Sequence, residues 1–331
     1  MAETSMVLAG DVGGTKSALA LVQGSPASPV ALMERTYANQ EFASLEEVVR
    51  RFLADTGCSP ATACFGVAGA VMEGRTVLPN LGWRLSEEAM ARSLNMKAVT
   101  LINDLEANAL GIATLGPEQL FTLNAGQPGA KGNRALISAG TGLGEALLID
   151  VDGHYRVSAS EGGHVDFAPR SEEQMALLRW LSARYGHVSV ERVLSGPGLA
   201  NLYAFLRDVQ GEKEPPWLAE ALKAGDDPAP AIAAAGLSGQ AAIGVHALDM
   251  FLAIYGAAAG NLALKALSTG GLYIGGGIAP KLLEKFGEGG FMAAFVDKGR
   301  FSEMLARVPV RIILEPKTAL RGAAARGLRV N

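Results

Sequence analysis

The sequence predicts an α/β fold of two similar lobes with a cleft between them. Strand-like and helix-like stretches alternate in blocks along the 331 residues, the pattern from which mixed sheets are built. "LAGDVGGTKSALALV" returns about 130 residues later as "LISAGTGLGEALLID". Both copies read as apolar strand, Gly/Thr turn, apolar strand. The chain is also longer than one hydrophobic core usually supports.

The elements follow in order. Strands are predicted at 6–10, 18–23 and 30–37, an antiparallel opening. A helix follows at 44–55, where Ser44 and Glu47 have the spacing of a capping box. "ACFGVAGAV" (63–71) reads as a buried strand, and "AVTLINDLEANALGIATL" (98–115) as a strand passing through Asn103 and Asp104 into a helix. After the second copy of the repeat, Ser171 caps a helix over 171–185, with Glu172 and Glu173 in the first turn where the helix dipole favours acids. The Pro- and Asp-punctuated stretch 211–235 predicts two short helices. Long helices are expected over 237–269, then strand, Gly-rich turn and helix in "GLYIGGGIAPKLLEKF".

Composition narrows the function. With 49% apolar and 19% charged residues the chain is a packed globular protein. A net charge of −4 without a basic run argues against nucleic acid. Cys58 and Cys64 are too few for a disulfide framework or a structural zinc site and are read as free buried thiols. The N-terminus lacks the basic and apolar regions of a signal peptide, and the run 251–264 reads as too short and interrupted for a membrane span. A cytoplasmic protein is expected.

Neither Gly-rich turn of the repeat has the Gly-Lys-Ser/Thr of a P-loop, and neither opens a helix as a dinucleotide fingerprint does. Each could be an ordinary hairpin. As a pair, they offer backbone N–H groups and the Thr15 and Thr141 hydroxyls to phosphate oxygens. Asp104 follows an apolar run, where a charge is costly unless it faces a cleft or caps a helix. Asn103 or Asp104 as helix cap is one reading. The other is a carboxylate that takes a proton from an attacking hydroxyl. "SASEGGHVDFAPRS" (158–171) gathers Glu161, His164 and Asp166 around two glycines. No second histidine is near in sequence, so a hydrogen-bonding surface for a polyhydroxylated ligand is favoured over a metal site. Glu191, read as helical in "GHVSVERVLSGPG", is able to face the same space.

"GDVGGT", "NDLEA", "SAGTGLG", "EGGHVDFAP", "HVSVERVLSGPGL" and "YIGGGIAPK" stand in one order over residues 6 to 325. Together they resemble the bacterial ATP-dependent glucokinase family of the actin/hexokinase/Hsp70 superfamily. The resemblance implies a two-lobed, ribonuclease H-like fold. Residues 1–112 with about 316–331 would form a small α/β domain, and about 113–315 a large one. It implies ATP and Mg²⁺, a sugar substrate and a homodimer. Asp104 would be the catalytic base toward the sugar 6-hydroxyl, with Asn103, Glu161, His164 and Glu191 holding other hydroxyls. Gly10, Asp11, Val12, Gly13, Gly14 and Thr15 would cradle phosphates, with Asp11 orienting hydrated Mg²⁺. Thr141 and Gly142 would form the second phosphate turn, and Gly275, Gly276 and Gly277 would lie against the adenosine.

Two departures stand out. The family's first turn often continues with Asn and, two positions on, Arg; this chain has Lys16 and Ala18. The Cys-rich zinc motif of the related ROK sugar kinases and repressors is missing from the sequence. A hexose kinase acting on glucose leads. A non-catalytic sugar-sensing regulator is one alternative, and a kinase of mannose, fructose or N-acetylmannosamine the other. Glu191 and "LPNLGWRLS" (78–86) would shape the choice of sugar.

Overall fold

The structure is a computed structural model and describes residues 6–78 and 80–330. Residues 1–5 of the N-terminal stretch read as no signal peptide, and the Pro79 position of "LPNLGWRLS", lie outside the described residues. The chain divides into two compact units, one of residues 1–119 and 315–331 and one of residues 120–314.

The first unit holds β1 (Val7–Val12), β2 (Lys16–Ser25), β3 (Ser28–Ala38), β4 (Thr62–Val67), β5 (Arg75–Leu78), β6 (Trp83–Ser86) and β7 (Ala98–Asn103). Its main sheet runs β3-β2-β1-β4-β7, and β5 pairs with β6 separately. The antiparallel opening matches the sequence reading, and β4 then lies parallel to β1. Pleating sends alternate side chains to opposite faces. Leu8, Leu21 and Phe65 join helix Leu45–Thr56 on one face. Ala9, Ala20, Val22 and Cys64 meet helices Asp104–Gly111 and Thr318–Val330 on the other. The small side chains on this second face let those two helices lie close, and a Cβ on Gly322 would run into the Ala107 carbonyl.

The second unit holds β8 (Leu120–Asn124), β9 (Arg134–Ala139), β10 (Leu143–Val151), β11 (His154–Ser160), β12 (Gly271–Gly275) and β13 (Val310–Ile313), in the order β11-β10-β9-β12-β13-β8. Three antiparallel strands followed by two parallel ones repeat the plan of the first unit, β9 taking the place of β1, and β8 adds an antiparallel edge. The faint sequence repeat is thus a repeat of topology. Tyr255 anchors this unit, fully buried against Phe251, Phe286 and Phe291. Its hydroxyl accepts from the Ala139 N–H at 3.3 Å and so pins the end of β9 just before the second turn.

Some expectations are corrected. Residues 251–264 are the middle of one helix, Ala242–Ala266, which among the described residues is long and apolar enough to cross a membrane. In this fold 72% of its most apolar window is buried inside the protein. The run looked short because the helix already begins at Ala242. Cys64 is buried, but Cys58 is only half-buried. Ser44 accepts from Glu47 N as predicted, whereas the Glu47 carboxylate reaches back to Ala43 N, one residue beyond the capping-box partner. Glu191 lies in a single 3-10 turn, Val190–Arg192.

Candidate active site

The first Gly-rich turn joins β1 to β2. A tight hairpin would use glycine for its left-handed backbone, yet neither Gly13 nor Gly14 has a positive φ. The turn closes through Gly13 N–H to Lys16 O at 2.9 Å. Its brace is Asn39, which is fully buried. The Asn39 amide donates to Gly13 O at 2.8 Å and accepts from Ser17 Oγ at 2.7 Å, while its backbone N–H reaches Thr15 O at 2.9 Å. Asn39 and Ser17 escaped the sequence reading. Only the fold brings residue 39 to residue 13. Gly10 and Val12 are buried strand residues. Gly10 is required by packing, since a Cβ there would strike Phe65.

Asp11 projects near the same turn. Burial and then the neighbouring Asp104 charge raise its pKa from 3.8 to about 6. Asp104 opens helix Asp104–Gly111 directly after β7. The two readings of this segment separate by residue. Asn103 is the cap, its Oδ1 accepting from Leu105 N at 2.9 Å and Glu106 N at 3.3 Å, its amide donating to Gly69 O at 3.1 Å. Asp104 Oδ1 also accepts from Leu105 N, at 2.9 Å. Burial and the nearby Asp104 charge make ionising Asp11 costly, a setting that a divalent cation relieves. Among the described residues no group of three or more His, Cys, Asp or Glu is placed to hold a metal. An ion beside Asp11 would therefore be held mainly by water and by phosphate oxygens, which suits Mg²⁺.

The second turn joins β9 to β10. Gly140 and Gly142 again have no positive φ. A Cβ on Gly140 would meet no heavy atom within 4 Å, so neither backbone geometry nor packing demands glycine there. Gly140 N–H closes on Gly142 O at 2.8 Å, and Gly196 N–H donates to Gly140 O at 2.8 Å. Glu191 Oε2 accepts from Leu143 N at 2.9 Å. A Cβ on Gly142 would lie 2.6 Å from that same oxygen.

Glu161 and His164 flank the 3-10 turn Gly162–His164, His164 Nε2 lying 3.9 Å from Glu161 Oε2, with both side chains exposed. Val190 N–H bonds Val165 O and Phe167 N–H bonds Val188 O, each at 2.9 Å. This short ladder carries Glu191 to the segment that follows His164. Asp166, grouped with these residues in the sequence reading, instead pairs with His187 at 2.8 Å.

A cavity of about 1000 Å³ opens beside the second turn, lined by Gly140, Thr141, Gly277, Ile278 and Lys281, with the N-terminus of helix Gly196–Asp208 at Gly196 and Pro197. Of the three glycines expected to face an adenosine, Gly277 lines this cavity. Gly276, with φ +84, makes the bend after β12, and Gly275 is buried in the strand. Lys281 and Pro197 were missed by the sequence reading, although "SGPG" and "IAPK" stood within the quoted motifs.

The family model described as Glucokinase matches residues 8–329. The chain belongs to the glucokinase family. A glucokinase of Synechocystis is 42% identical over 341 residues, covering 96% of each chain. The crystal structure of a glucokinase from an Antarctic psychrotroph is 32% identical, with a TM-score of 0.86, over 98% of this chain and 99% of that one. The fold is shared more widely. A Balamuthia mandrillaris glucokinase solved with glucose is 20% identical at a TM-score of 0.80, over 99% and 94% of the two chains. These likenesses bear out the actin/hexokinase-like fold and support glucokinase activity. The chain is an ATP-dependent hexose kinase, a transferase.

Proposed function

We propose that the protein transfers the γ-phosphoryl group of ATP to the 6-hydroxyl of D-glucose, giving ADP and glucose 6-phosphate. The observation that carries this reading is the pair of carboxylates, Asp11 near the end of β1 and Asp104 directly after β7 in the same sheet, beside a Gly-rich turn whose glycines lack a left-handed backbone.

In the proposed reaction the Asp104 carboxylate accepts the proton as the sugar O6 attacks. The O6–P bond forms while the bond from phosphorus to the bridging oxygen of ADP breaks. Such transfer depends mainly on positioning and charge. Asn103, although committed to its cap, keeps a second amide N–H for a sugar hydroxyl. Glu161, His164 and Glu191 supply the remaining contacts. The stretch Gly10 to Thr15, through the N–H groups the fold leaves open, and Thr141 with Gly142 offer N–H and hydroxyl donors to phosphate. Mg²⁺, when bound beside Asp11, neutralises phosphate charge. Apolar Ile278 and the open backbone at Gly277 suit the adenosine, and Lys281 is a cation at the cavity wall. The two compact units are proposed as the small and large domains of a cytoplasmic homodimer.

The test follows ADP release with D-glucose, D-mannose, D-fructose and no sugar. Release fastest with glucose supports the proposal. Glucose binding without release would point to a sugar-sensing regulator, and faster release with another hexose would move the substrate.

A further inference from the structure

Glu191 is assigned to the sugar in the reading above, yet its carboxylate already has a partner. Oε2 accepts from Leu143 N at 2.9 Å, at the C-terminal end of the second turn. The backbone at Glu191 is also tied down, because its carbonyl accepts from Ser195 Oγ at 2.8 Å. Ser195 in turn caps helix Gly196–Asp208 by accepting from Gly198 N at 3.0 Å. The next residue, Gly196, donates its N–H to Gly140 O at 2.8 Å, at the N-terminal end of the same turn. Residues 191–196 thus grip the turn at both ends, one grip being the Glu191 side chain. Gly142 is the point of closest fit, since a Cβ there would lie 2.6 Å from Oε2.

We propose that Glu191 is a positioning residue for the 140–143 phosphate turn as well as a sugar ligand, so that one carboxylate links the two substrate sites. The inference rests on the kinase reading for both the sugar and the phosphate, while the brace itself rests on the hydrogen bonds alone. A carboxylate has room for several donors. Sugar hydroxyls on its other lone pairs hold it in place against Leu143 N and so hold the turn in its phosphate-binding shape. Linkage then requires the nucleotide to improve sugar affinity by the factor that the sugar improves nucleotide affinity.

The deciding measurement is ADP affinity, with Mg²⁺, in the absence of sugar, on the full chain. Glu191→Ala is expected to bind ADP about tenfold more weakly, the scale of one lost charge-assisted hydrogen bond. Glu191→Gln, whose amide oxygen still accepts from Leu143 N, is expected to stay within about threefold of the parent. Glu161→Ala, which has no bond to the turn, is expected to lose glucose affinity alone. Unchanged ADP affinity in folded Glu191→Ala overturns the proposal. Should that variant not fold, Gly142→Ala decides. It pushes the carboxylate aside and is expected to weaken ADP and glucose together, whereas loss of ADP binding alone overturns the link. Failure of the parent to bind glucose would instead overturn the sugar assignment, and the ADP comparison would still judge the brace.

Discussion

The two Gly-rich turns have the same place in the same topology, but they are held differently. The β1–β2 turn is braced by Asn39 and Ser17, buried neutral groups hydrogen-bonded to each other and to the turn inside the fold. The β9–β10 turn is braced by Glu191, a half-buried acid with capacity left for a ligand. One turn is fixed by folding alone. The other is finished by a carboxylate that is proposed to serve the sugar as well, and on that proposal its shape depends on what is bound. In neither do the turn glycines have a left-handed backbone.

Asp104 is the proposed base, so its substitution tests the chemistry where the braces test the scaffold. Asp104→Asn is expected to lower turnover by about 10³-fold or more while glucose still binds. Near-normal ADP release in that variant would remove the residue from the mechanism. Asn39→Ala tests the rigid brace. It strands Ser17 Oγ and Gly13 O in the interior and is expected to cost about 2–4 kcal/mol in denaturant unfolding. It should raise the ATP KM with little change in the glucose KM. An equal rise in both would mean that the first turn is coupled to the sugar as the second is.

A smaller effect concerns Asp11. Its folded pKa, near 6, lies above the ordinary 3.8, so the fold disfavours the ionised form. The resulting loss of stability grows as pH rises from about 4 and is complete above about 6. Asp11→Asn should therefore melt a few degrees higher than the parent at pH 8 and equally at pH 4. A matched melting temperature at both pH values would show that burial does not strain this acid. Mg²⁺ with ADP should close the gap at pH 8 by stabilising the parent alone.

Much of this comparison was legible in the sequence because its signals are local. The repeated strand–turn–strand pattern, the Ser44 and Ser171 caps and the order of the motifs depend on neighbours in the chain. The braces were not legible. Asn39 is 26 residues from Gly13, and Glu191 is 48 from Leu143, with nothing in either segment to announce the partner. Asn103 and Asp104 show the same limit at short range. Their spacing allows either to cap, and the structure gives most of that work to Asn103, with Asp104 sharing the Leu105 N–H. The cavity beside the second turn was half legible. Three glycines in a row marked the place, but which one faces the cavity depends on where β12 ends and on the bend at Gly276.

The central claim is that these turns are phosphate cradles. Gly140→Ala tests it most directly, because the added methyl meets no protein atom within 4 Å and only a ligand would feel it. The expected result is an unchanged melting temperature with ATP affinity about tenfold weaker. An unchanged ATP affinity in that variant would reduce the second turn to a hairpin and contradict the account.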